Sequence, residues 1–167
     1  MTDSEYEPDF EKVERWGDLQ KKIRKFAPGG IFLIVLGLFL PWVSWESQGD
    51  IPAGSIAGLE ILDGALDSWL FLFCGSVATY LCLRKKSFLS NLFVSFLGLI
   101  AFLGGSLDVS APWGFAPQKL SQAWEIVDVG PGLYLEMFGG LLILGVGIAL
   151  LFLGWLIKDE TTPPPPY

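Results

Sequence analysis

The stretch Leu133–Ile157, LYLEMFGGLLILGVGIALLFLGWLI, carries a single acidic or basic side chain, Glu136. An α-helix rises about 1.5 Å per residue, so this run exceeds the roughly 30 Å hydrocarbon core of a bilayer. It reads as a membrane-spanning helix long enough to tilt. Working outward, three further runs approach bilayer length: about 29–45 (GGIFLIVLGLFLPWVSW), about 66–83, and 88–107. The second is diluted by Cys74, Ser76, Thr79 and Cys82. Only Arg84 to Ser87 separate the second run from the third, which predicts an antiparallel helical hairpin. No run repeats another. The expected fold class is an all-α membrane protein: four transmembrane helices in a bundle, a juxtamembrane amphipathic helix, and short helices in the outer loops.

Composition narrows the function. Of the 167 residues 51% are hydrophobic, and the mean hydropathy of +0.49 argues against an ordinary soluble domain. Eighteen acids against eleven bases give a net charge of −7, without the concentrated basic face a nucleic-acid binder needs. Histidine is absent and only Cys74 and Cys82 are present, so common zinc sites and histidine-based nucleophile systems lack their groups. The two cysteines lie eight residues apart on one predicted helix, too far for a mutual disulfide. No cofactor is expected, and the protein reads as non-enzymatic.

The bases set the orientation, because Lys and Arg near span ends stay preferentially cytoplasmic. Lys21, Lys22, Arg24 and Lys25 precede the first span, Arg84, Lys85 and Lys86 fill the hairpin, and Lys158 follows the last span; only Lys119 falls opposite. Both termini are therefore expected in the cytoplasm of a multi-pass protein of a plasma or bacterial inner membrane. The loops at about 46–65 and 108–132 are then external. Trp42, Trp45, Trp69, Trp113 and Trp124 would gather at the outer interface, with Trp16 and Trp155 at the inner one. About 28 residues, acidic at the start, precede the first span, and no small-x-small cleavage site follows it. An uncleaved signal anchor is expected.

This divides the chain into a cytoplasmic segment (1–28), a four-helix domain (29–157) and a disordered proline-rich tail (158–167). Within the first, Phe10–Phe26 places Val13, Trp16, Leu19, Ile23 and Phe26 on one helical face, with a basic end suited to lipid headgroups. In the first outer loop Glu60, Asp63 and Asp67 fall on one helical stripe beside Leu59, Leu62 and Leu66. Such a stripe is ordinarily a solvated face, and no metal site is assigned to it. The second outer loop offers Trp113 and Phe115, then a short helical pattern of Leu120, Trp124 and Val127 opened by Pro117.

Glu136 is the one acid well inside a span, and so the candidate ion or proton site; about one turn from the outer interface, it is expected to reach water or to be neutralised by protonation. Small residues mark helix packing: Gly75 with Thr79, Ala101 with Gly105, and Gly145 with Ala149. On the last helix Gly140, Gly147 and Gly154 recur every seven residues as a second stripe, offering one groove to the bundle and one to a partner. The tail ends in Pro164, Pro165, Pro166 and Tyr167, a PPxY pattern of the kind WW domains read through a polyproline II strand.

The four-span layout resembles that of the claudins, but their Gly-Leu-Trp and following loop cysteines are missing. Gly58-Leu59 continues into Glu60, and no family is assigned. The expected function is an accessory or scaffold subunit that contacts another membrane protein or itself. The alternatives are a transporter or channel component using Glu136, and a membrane adaptor presenting Pro164, Pro165 and Tyr167 to a WW-domain protein.

Overall fold

Asp9 starts the first helix by accepting a hydrogen bond from the Lys12 amide at 3.1 Å, and α1 runs over Phe10–Arg24. These features come from a computed structural model that describes residues 8–47, 49–61, 66–84, 87–115 and 126–162. After a turn at Lys25 and Phe26, α2 (Ala27–Phe39) begins with Pro28 in its first turn, where a missing amide hydrogen costs nothing. It stops where Pro41 forces Leu40 into an extended conformation. The expected span 29–45 is thus divided: its last five residues form the strand β1 (Pro41–Trp45).

β1 is the centre of a three-stranded antiparallel sheet, between β2 (Gly54–Ala57) and β3 (Val127–Val129). Val43 pairs with Ile56 on one side and with Val129 on the other, and an irregularity in register separates Pro41 from Val43. The sheet is a departure from the all-α expectation. β2 occupies the start of the segment read as an outer-loop helix; among its described residues the short α3 (Gly58–Ile61) is helical, and Leu66 and Asp67 open the next helix. Val127 was expected on a helix and lies in β3, while Pro117, Leu120 and Trp124 fall outside the described residues.

The remaining helices are α4 (Leu66–Arg84), α5 (Phe88–Ser110) and α6 (Pro131–Thr161). Ser87 caps α5 by accepting from the Ser90 amide at 3.1 Å, so the tight α4–α5 hairpin ends in a satisfied helix start. Two helices, α5 and α6, are long and apolar enough to cross a membrane, with mean hydropathies of 2.0 and 2.6 over their most apolar windows. At 13 residues α2 covers only about 20 Å, and α4 is diluted by its polar side chains.

α6 is the axis of the packing and touches α5, α2, α1 and α4. Ile34, Phe71, Ala78, Val94, Ala101, Leu133, Ile143 and Leu150 make the core between the helices. Large apolar side chains also point outward from every long helix, among them Phe32, Phe73, Phe96 and Phe152. Two ends result. At the sheet end lie the starts of α4 and α6 and the ends of α2 and α5. The hairpin end gathers the α4–α5 connection, the end of α6, and α1.

Candidate functional site

Glu136 sits one turn into α6 at the sheet end and is 0% exposed. Close by in the packing stand Gly37 of α2 and, hydrogen-bonded to it, Trp42. Trp42 of β1, itself fully buried, donates its indole N–H to the Gly37 carbonyl at 3.3 Å and meets Phe71 and Phe115 edge to face, at ring separations of 6.4 and 5.0 Å. Gly37 presses on the carboxylate from α2: a Cβ there would stand 2.8 Å from Glu136 Cγ. Glu136 is therefore closed off from solvent, and Trp42 is a core side chain rather than an interfacial ring.

Among the described residues, both Glu136 carboxylate oxygens are buried without a hydrogen-bond partner, as is Oδ2 of Asp108 on α5. Asp67, in the first turn of α4, and Asp108, near the end of α5, also lie at the sheet end. Three helices thus bring one carboxylate each toward the sheet end. Among the described residues no group of three such side chains could hold a metal ion. A buried carboxyl without a hydrogen-bond partner, as at Glu136, is a group that can carry a proton.

Of the expected acidic stripe of the first outer loop, Glu60 and Asp67 lie among the described residues. Glu60 turns back to accept from the Ala57 amide at 3.0 Å, a local cap on α3, while Asp67 belongs to α4. Asp63 lies outside the described residues.

At the hairpin end the buried ion is Arg24, only 6% exposed. Its Nη1 donates to the Cys82 carbonyl at 2.7 Å and its Nη2 to Asn91 Oδ1 at 3.2 Å. Asn91 in turn donates through Nδ2 to the Leu150 carbonyl at 3.4 Å. One hydrogen-bonded chain thereby ties α1 to α4, α5 and α6. Arg24 reads in the sequence as part of a basic flank, and neither it nor Asn91 stands out as a site. The signal was available in Asn91, the chain's only asparagine, set inside an apolar run. For α1, Gln20 and Arg24 turn inward with Val13, Trp16 and Ile23, whereas Leu19 and Phe26 are exposed. The buried face is rotated toward the polar side of the expected one.

The glycines of α6 fall into two groups. Gly140 and Gly147 meet α5 so closely that a Cβ would come within 2.5 Å of Phe102 N and of Ser95 N respectively. They serve internal packing. Among the described residues Gly154 is open, its nearest neighbour being Gln20 Nε2 at 3.7 Å, and Gly145 has nothing within 4 Å. The stripe Gly140–Gly147–Gly154 therefore splits, and the free backbone surface is at Gly145, with half-buried Ala149 a turn on. Ile23, Phe26, Phe138, Leu141, Leu142 and Val146 surround Gly145 to form an apolar groove of about 470 Å³.

Cys74 and Cys82 are free and buried in α4. The tail residues Pro164, Pro165 and Tyr167 lie outside the described residues. The chain matches no protein-family model and no curated protein.

Proposed function

We propose that this chain is a small multi-pass integral membrane protein, four spans with both termini cytoplasmic, acting as a non-enzymatic accessory or scaffold subunit. The single observation that carries the reading is the open groove at Gly145. A helix backbone bare of side chains, in a wall of apolar ones, is the surface on which a second helix can approach closely in lipid. The outward-facing phenylalanines of all the long helices support a lipid setting, since so much exposed apolar surface is costly in water. The one-sided distribution of bases supports the orientation.

Crosslinking in native membranes, followed by mass spectrometry of the crosslinked species, tests it. Gly145→Leu should abolish a crosslinked partner or self-association while leaving the melting temperature unchanged, because no neighbour stands within 4 Å to be displaced. A purely monomeric pattern in the unaltered protein would sink the proposal.

A second reading is favoured by one observation, the buried unpartnered carboxylate of Glu136. In a transporter or channel component that group would carry the proton or cation. Proteoliposomes of the full chain should then support a flux that Glu136→Gln removes; absence of flux retires this alternative.

A further inference from the structure

The hairpin end holds a second cavity, about 590 Å³, between α1, the start of α5 and the end of α6. Its composition differs from that of the Gly145 groove. Arg24 and Lys158 bring positive charge from two helices, Gln20 and Asn91 add amides, and Phe88, Trp155 and Ile157 form apolar walls. Phe88 and Trp155 are 67% and 56% exposed, so the cavity opens outward beside aromatic side chains instead of into the bundle core. The cavity also borders the capped N-terminus of α5, whose helix dipole adds positive potential. Of the acids near this end, Glu160 is engaged by Lys12 of α1 at 3.7 Å.

Two cations and neutral donors at one end, with an aromatic and aliphatic flank continuing along α5 and α6, match an anion that carries its own hydrocarbon. We propose that this cavity binds the phosphate of an anionic membrane phospholipid, with Arg24 and Lys158 facing the phosphate and the acyl chains lying along Phe88, Trp155 and Ile157. Arg24 has a double role in this arrangement. Its hydrogen bonds to Cys82 and Asn91 fix the guanidinium in place, so its charge is presented without the entropy loss of ordering a long side chain on binding. Gly154 keeps the cavity open: any larger side chain there would project into it. The inference rests on the membrane reading above and adds to it a specific ligand class.

The test is native mass spectrometry of the full chain in mild detergent, with phosphatidylglycerol and phosphatidylcholine of identical acyl chains added in equal amounts. Phosphatidylglycerol should be retained preferentially. Lys158→Gln should weaken that preference about fivefold, the effect of one base near an anionic headgroup. Gly154→Leu should abolish it by filling the cavity. Excess inorganic phosphate should leave the bound phosphatidylglycerol in place. Equal retention of the two lipids, or a preference unchanged in both variants, overturns the proposal. Displacement by inorganic phosphate overturns the lipid assignment in favour of the free anion. Lys158 is on the surface of the last turn of α6, so its variant tests the site even if Gly154→Leu folds poorly. Alkaline carbonate extraction separates the two levels: release of the unaltered chain from membranes overturns the membrane reading, whereas retention without lipid preference overturns the site alone.

Discussion

Arg24 and Glu136 are both buried ionisable side chains, one at the hairpin end of the bundle and one at the sheet end, yet their surroundings are opposite. Arg24 finds a backbone carbonyl on α4 and an amide oxygen on α5, and the chain of donors continues through Asn91 to α6. Glu136 finds close packing against Gly37, and its oxygens bond to nothing among the described residues. Burial alone therefore does not identify a structural ion. A polar group that is fully hydrogen-bonded holds elements together; one that is buried and left unmatched costs stability and is retained for another reason.

Replacing each ion by an apolar residue of similar reach should produce changes of opposite sign. The largest effect is expected from Arg24→Met, which strands the Cys82 carbonyl and the Asn91 amide and should cost about 3 kcal/mol. A clear drop in the thermal unfolding midpoint in detergent is the readout. Arg24→Lys should recover part of the loss, since an ammonium cannot span both acceptors as the guanidinium fork does.

Glu136→Met should go the other way, raising stability by about 1–2 kcal/mol, because an unsatisfied carboxylate gives way to packing. The same midpoint measures it. Destabilisation of the size seen for Arg24→Met would break the comparison and make Glu136 a paired structural group. A stabilised variant that has lost a membrane activity would sharpen it, since functional sites commonly trade stability for activity.

The smallest effect belongs to α1 beyond the bundle. The Lys12 amide, and secondly its ammonium, hold the Asp9 carboxyl below the usual aspartate range. A carboxyl whose folded value is depressed stabilises the first turn fully above its unfolded value, roughly 4, and that contribution fades as pH falls through the lower folded value. Acid titration followed by the NMR shift of the Lys12 amide should show this transition, and Asp9→Asn should remove it. Asp18, held low by Lys21, should titrate in the same direction.

The long helices were legible from hydrophobic run length. The expected 66–83, 88–107 and 133–157 are found as Leu66–Arg84, Phe88–Ser110 and Pro131–Thr161. The sheet was not legible. Trp42-Val43-Ser44-Trp45 continues an apolar run without clear alternation, and its partner Val127–Val129 is three residues at the end of a stretch that scans as a short helix. Of the candidate sites, Glu136 showed itself as an isolated charge, but distance along a helix says nothing of the close packing that another element brings against it. Arg24 was hidden for a related reason. Among four bases in five residues, only tertiary packing selects the one that turns inward.

The order in which the chain is made gives the sheet a further meaning. β1 emerges from the ribosome early and β3 only just before α6, with α4 and α5 made in between. Until β3 arrives, β1 has an open edge opposite β2, and the Trp42 carbonyl lacks the Gly130 amide that reaches it at 2.7 Å in the finished protein. Chains interrupted before Val127 carry a bare strand edge of the kind that recruits other strands. Closure of the sheet is in this sense a seal on completed synthesis, made by the same three residues that hand the chain into its last helix.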